Sequence, residues 1–165
     1  MPATYDSIAT TTISSTTSSV TFSSISGSYT DLVLVIMPRG NNNNSDCMIR
    51  FNSDTAGNYN YQYQKYHGDE PTNFANYVDN ATYISPQTNI NSTNLNPSVV
   101  HIMNYSNTTN GKAVLCRTAV PGYMTSLVVG HWRSTAAITS ITLQPTSGIT
   151  FESNSVFTLY GITKG

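Results

Sequence analysis

Nucleophilic catalysis needs a serine or cysteine held close to a histidine and a carboxylate. The chain offers His67, His101 and His131, the thiols of Cys47 and Cys116, and eight acidic residues. None of these lies in a G-x-S-x-G elbow or a Cys/His signature. His101 sits in VVHIMNY, where a packed or hydrogen-bonded imidazole is the plainer reading than a base. His131 stands beside Trp132, and the two are candidates for an interface pair, with a structural role the simpler alternative. Glycan hydrolysis needs two carboxylates about 5–9.5 Å apart across a cleft. Asp69 and Glu70 are adjacent and precede Pro71, which reads as a solvated loop, while Glu152 stands alone. No catalytic group is expected.

Calcium is the ion to weigh. Asn52, Asp54 and Asn58 place hard oxygens around Gly57, the ligand type Ca²⁺ prefers. The same residues build any Asx turn, and EF-hand spacing is lacking, so a structural turn is expected and no cofactor. The two cysteines have no metal-ligand spacing. MPATYDSIATTT has neither a basic nor an apolar signal-type segment, so two reduced, buried thiols are expected. The N-x-S/T triplets at Asn80, Asn91, Asn104 and Asn107 arise by chance in so Asn- and Thr-rich a chain.

Recognition chemistry is more promising. In YNYQYQKY, Tyr59, Tyr61 and Tyr63 share one strand face. Tyrosine supplies a large rigid surface with a polar tip and is enriched at interfaces. The stripe is read as a subunit contact or a glycan platform, or else as a sheet face covered by the protein's own loops.

The elements that would carry these residues follow from composition and period. Charged residues make up 9% of the 165 residues, against about 25% in an average chain. Ser, Thr and Asn take their place. Seven Lys+Arg against eight Asp+Glu give a net charge of -1 with no basic block. That argues against nucleic acid or an anionic membrane as partner, since both are met by clustered Lys/Arg. LVLVIM, the most apolar run, is far short of the ~20 residues that span a bilayer.

Strand-type alternation recurs along the chain, and helical periodicity does not. Tyr29 to Met37 reads as a strand apolar on both faces, and Met48 to Asn52 as a short one. Val99 to Tyr105 and Lys112 to Arg117 read as a hairpin turning at Asn110-Gly111 with φ > 0. Met124 to Trp132 feeds a closing meander through Ile141, Leu143, Ile149, Phe151, Phe157 and Leu159. Residues 67–97 read as long loops with one strand near Thr82-Tyr83-Ile84. Residues 8–25 have strand character, and 1–19 are a candidate extended N-terminal arm that orders on binding. Short strands with turn signals between them predict a single all-β domain over 1–165, an antiparallel β-sandwich, jelly-roll-like. Leu34, Ile36, Ile141, Leu143, Phe157 and Leu159 are its expected core.

Several stretches resemble a known group. YDSIATTTISSTTSSVTFSSISGSYTDLVLV, IRFNSDTAGNYNYQ, NYSNTTNGKAVLCR and WRSTAAITSITLQPTSG followed by FTLYGI are similar to short virion proteins of tailed bacteriophages, particularly those of cyanobacteria. The resemblance implies a β-sandwich on a virus particle, assembled in the bacterial host cytoplasm. It implies a homo-oligomeric capsid decoration or cement protein, with a trimer favoured and the major capsid protein as partner. The alternative is a tail-fibre or receptor-binding protein touching host surface glycans. Asn41 to Asn44 and the 67–97 loops are where surface specificity is expected to vary. The interface candidates are Tyr59, Tyr61, Tyr63, His131 and Trp132.

Overall fold

In Met124–Trp132 every second residue is buried and every other one is exposed, the pattern of a strand with one face on a core. The computed structural model describes residues 4–42, 45–68, 74–146 and 148–163. Among them the chain forms eleven strands and no helix: β1 (Tyr5–Thr12), β2 (Val20–Phe22), β3 (Asp31–Met37), β4 (Cys47–Phe51), β5 (Tyr59–His67), β6 (Phe74–Ala81), β7 (Ser98–Ile102), β8 (Lys112–Val120), β9 (Met124–Trp132), β10 (Ile141–Pro145) and β11 (Val156–Ile162). Eight pair in the order β1-β11-β3-β7-β8-β9-β5-β6, and three in the order β2-β10-β4. All pairings between these strands are antiparallel. The protein is an antiparallel β-sandwich with one broad and one narrow sheet.

The expected core residues Leu34, Ile36, Ile141, Leu143, Phe157 and Leu159 are all fully buried. They join Val20, Phe22, Ile49 and Phe51 of the narrow sheet and Val100, Val114 and Val128 of the broad one in a single cluster. Each such side chain contributes about 1.5–3 kcal/mol on burial. Cys47 and Cys116 are free, buried thiols in that cluster. Burial pushes the Cys116 thiol up to about 12, which removes the thiolate that reactivity needs.

The narrow sheet leaves part of the broad one uncovered, and irregular chain completes the layer. Residues 84–90 cross β8 and β9. Thr118 Oγ1 donates to the Pro86 carbonyl at 2.8 Å, and Ser126 Oγ reaches the Pro86 and Gln87 carbonyls at 3.5 Å. Ile84 lies against Gly130, where a Cβ would meet its Cδ1 at 2.9 Å. The segment bonds the narrow sheet too, through Ile49–Ile84 backbone pairing and the Cys47 amide donating to Thr88 Oγ1. On the other flank the Tyr29 ring covers Gly161, whose added Cβ would come within 2.3 Å of it, and Phe151 meets Phe157 at 4.8 Å between centroids.

Five expectations are corrected. The last three strands are no meander: β10 belongs to the narrow sheet, whereas β11 returns between β1 and β3. Ile149 and Phe151 form no strand, and Phe151 makes only isolated bridges to Thr17 and Gly40. Within residues 67–97, β6 is a full edge strand on β5, while Ile84, Ser85, Gln87, Thr88, Ile90 and Asn96 are buried rather than displayed. Its composition, FANYVDNA, carries too little alternation to announce a strand; pairing with β5 supplies what propensity does not. The β7–β8 turn takes its left-handed residue at Asn104, with φ 49°, and not at Asn110-Gly111. Asn43, Asn44 and residues 69–73 lie outside the described residues, so the loop readings there go no further.

The N-terminal tract, finally, is no detached arm. Tyr5 to Thr12 pair with β11 from Ile162 to Val156 across one bulge. Ile13 is 7% exposed, and its amide donates to the Ser155 carbonyl at 2.9 Å. Removing residues 1–13 is therefore expected to lower the urea unfolding midpoint and to cost on the order of 2–4 kcal/mol through lost burial and ladder bonds. An unchanged midpoint would restore the arm.

Candidate functional site

Successive strand residues point to opposite faces, so the interface candidates divide by parity. In the β5–β9 register Tyr59 faces Trp132 and Asn60 faces His131. Tyr59 is 0%, Trp132 2% and Tyr61 6% exposed: the tyrosine stripe points into the sandwich. Tyr63, next along the same face, is half-buried and packs against the core. Of the five candidates only His131 is exposed. Tyr59, Tyr61 and Trp132 thus form no interface with another chain; the covered-face alternative describes them. Their physical reason for being aromatic is span, because they reach from the broad sheet to the narrow one.

That reach makes a stitch. The Phe51 ring lies 6.1 Å from Tyr59 and 5.6 Å from Trp132, and Tyr59 stacks on Trp132 at 6.3 Å. The Phe51 amide donates to the Tyr59 hydroxyl at 3.0 Å, and that hydroxyl donates to the Asp54 carbonyl at 3.2 Å. Burial pushes the Tyr59 phenol up to about 12, so it keeps the proton it donates. Trp132 Nε1 donates to Asp54 Oδ2 at 2.8 Å, which gives a buried indole the partner it needs.

The same turn holds the oxygens weighed as calcium ligands. Asp54 Oδ1 accepts from the Ala56 amide at 2.9 Å, and Oδ2 accepts from Asn58 Nδ2 at 3.0 Å as well as from Trp132. Asn52 Oδ1 accepts from the Thr139 and Ser140 amides, while its Nδ2 donates to the Ala137 carbonyl. Asn52 and Ser53 hold φ of 52° and 57°. The oxygens are turned into the turn and the 137–140 segment, as an Asx-type structural turn requires. Among the described residues no group of three His, Cys, Asp or Glu side chains is arranged to hold a metal.

The remaining polar candidates also have structural partners. His101 Nε2 lies 2.8 Å from Asp31 Oδ2, and Asp31 Oδ1 accepts from the Asn104 amide at 2.7 Å, so the pair closes the end of β7. Glu152 Oε1 accepts from Thr150 Oγ1 at 3.0 Å. Asp69 and Glu70 lie outside the described residues. Lys112 is fully buried, with its ammonium donating to the Asn110 and Thr135 carbonyls at 2.7 and 3.2 Å; burial lowers its pKa.

What the strands do present is the outer face of the broad sheet. The registers align Tyr160, Val33, His101, Leu115, Val129 and Gln62 across six strands. The next row runs Thr158, Val35, Val99, Arg117, Leu127 and Gln64. Val129 is 56% and Leu127 42% exposed, and a hollow of about 180 Å³ lies between them and Gln62, Tyr63 and Gln64. In these two rows the titratable groups are His101, Arg117 and Tyr160. The sequence signal for this face was present in MTSLVVGHW, where Leu127 and Val129 alternate with Ser126, Val128 and Gly130; which parity is covered was not.

Asp54 gives a test of the stitch. Burial alone would raise its carboxyl, and the donors Asn58, Trp132 and Ala56 outweigh this, so its pKa is lowered from 3.8. A carboxylate depressed in the folded state contributes stability above its unfolded pKa and loses it as pH falls through the folded value. Asp54→Asn is expected to destabilise by about 1–3 kcal/mol near neutral pH, measured by urea unfolding. The gap to the wild type should narrow as pH falls below the ordinary carboxylate range. A gap independent of pH would remove the carboxylate from the account.

No family model and no curated protein matches the chain. Among solved structures, the chain is similar to that of a mutant alginate lyase in complex with an alginate tetrasaccharide. The identity is 10%, and the match covers 74% of this chain and 68% of that one, with a TM-score of 0.21. A likeness of that size carries no argument for fold or activity.

Proposed function

We propose that the protein is a non-enzymatic structural component of a bacteriophage virion, a decoration or cement protein that assembles as a homotrimer and binds the major capsid protein. The observation that carries the assembly is the outer face of the broad sheet, where Leu127 and Val129 are exposed, Val35, Val99 and Leu115 half-buried, and Val33 buried between them. An exposed apolar patch with amides at its rim, here Gln62 and Gln64, is what subunit contacts bury. Closed symmetry is the usual outcome for identical subunits. The virion rests on the sequence resemblance, above all IRFNSDTAGNYNYQ and WRSTAAITSI. Arg117 is the fixed charge in these rows, and the rest of the contact, built from aliphatic groups and amides, loses little strength to salt.

Sedimentation of the wild type is expected to show a trimer whose mass does not change between low and high salt. Val129→Glu with Leu127→Glu puts two charges on the contact and is expected to raise the dissociation constant at least about tenfold, with the melting temperature preserved. A wild type that stays monomeric at high concentration would overturn the assembly. Antibody labelling of particles then tests the location: label on heads is expected, and label confined to tails would move the protein to a fibre.

A further inference from the structure

One surface lies away from the stitch and beyond the rim of the assembly face. At the end of the broad sheet, the turn between β8 and β9 meets the end of β5. They border a shallow, open depression of about 660 Å³, lined by Tyr66, His67, Gly68, Pro121, Tyr123 and neighbouring residues of β8 and β9. That volume falls within the roughly 300–1,000 Å³ of small-molecule sites. The floor is apolar, with Val120 5% and Met124 3% exposed, whereas Tyr66 is 46% and Tyr123 38% exposed. His67 and Tyr123 hold each other edge to face, their rings 4.9 Å apart at 82°. The backbone fixes this arrangement: the Tyr123 amide donates to the Val120 carbonyl at 3.0 Å, and the Gly68 amide donates to the Tyr123 carbonyl at 3.1 Å.

Tyr123 is also shared with a second hollow. Asn89, Asn91, Thr93 and Asn94 line it together with Val120, Pro121 and Tyr123, and its volume is about 260 Å³. The Asn91 side chain is set by its own loop, since its Oδ1 accepts from the Thr93 amide at 3.0 Å and the Asn94 amide at 2.6 Å. Tyr123 therefore borders both the aromatic depression and a row of amides and a hydroxyl.

We propose that this double hollow binds an uncharged sugar chain. A pyranose has an apolar C–H face and a polar hydroxyl edge. Rings of the Tyr66 and Tyr123 kind, rigid and amphipathic, cover the first at small conformational cost. Asn and Thr side chains, which both donate and accept, match the second. Among the described residues no Asp, Glu, Lys or Arg lines either hollow, so an anionic sugar would find no permanent cation to pair with its carboxylate. Tyr66 borders the assembly face, its hydroxyl donating to Gln64 Oε1 at 3.5 Å, whereas Tyr123 does not belong to the two rows of that face, so Tyr123→Ala is the variant that separates sugar binding from trimer formation.

The test is titration calorimetry of the full chain with cellotetraose, maltotetraose and chitotetraose, and with tetragalacturonate as the anionic arm. At least one neutral tetrasaccharide is expected to bind, with a dissociation constant on the order of 0.1–1 mM. Tyr123→Ala and Tyr66→Ala are each expected to weaken it at least about tenfold, while Tyr5→Ala, exposed at the far edge of the sheet, leaves it unchanged. If Tyr123→Ala does not fold, the largely exposed Tyr66→Ala carries the comparison. The proposal is overturned if none of the neutral sugars binds at about 10 mM, if binding survives in the folded variants, or if tetragalacturonate binds more tightly.

Discussion

The structure depends on a mismatch of breadth. Strands lie about 4.8 Å apart, so eight of them present a face roughly 34 Å wide and three cover roughly 10 Å of it. An apolar sheet face left in water is unfavourable in proportion to its area, and something must close the remainder. Here irregular chain does it, with residues 84–90 on one flank and Tyr29 and Phe151 on the other. Irregular backbone brings unpaired amides and carbonyls into the interior, which need partners there. That explains why Thr118 and Ser126 stand at inward positions of β8 and β9 that aliphatic residues would otherwise fill: they donate to the Pro86 and Gln87 carbonyls. It also explains the small residue at Gly130, where Ile84 approaches the sheet.

The two layers are held in register at one place by polar bonds inside an aromatic group. Phe51, Tyr59 and Trp132 meet there, and the Asp54 turn accepts from both Tyr59 and Trp132. Residues 49–62 and 132–141 supply this junction. What they carry is the joint between the sheets. The outer face of the broad sheet and the hollows around Tyr123 draw chiefly on β7, β8, β9 and the 89–94 segment, so binding chemistry can change on this frame while the joint stays.

Scarcity of charge gives the surface its character. Among the described residues the ion pairs are His101 with Asp31 at 2.8 Å and Arg133 with Asp79 at 3.7 Å, both partly exposed and of small energetic weight. Threonine ladders take their place on the narrow sheet and the edge strand, as in Thr21 with Thr142 and Thr10 with Thr158. Amides and hydroxyls keep the molecule hydrated without setting up a long-range field. Recognition is left to shape and short-range contacts.

Period-two alternation was legible without any structure, because an extended chain sends successive side chains to opposite faces. That was enough for an antiparallel sandwich, for β9 from Met124 to Trp132, and for the burial of Leu34, Ile36, Ile141, Leu143, Phe157 and Leu159. Alternation names two faces and leaves open which one is covered, so the Tyr59–Tyr63 stripe read equally as an outer platform or an inner wall. Only packing of the narrow sheet turned it inward and left Leu127 and Val129 outside. Strand partners were out of reach for the same kind of reason. A backbone ladder carries no residue code of its own, and β11 pairs with β1 and β3, more than a hundred residues away in sequence. The edge strand β6, with little alternation, exists because β5 offers it a ladder. The sequence by itself therefore determined the class of fold and the burial of those six side chains. The neighbours of each strand, the covered face of each sheet and the meeting of His67 with Tyr123 came only from tertiary structure, where the cost of an uncovered face is decided over the whole molecule at once.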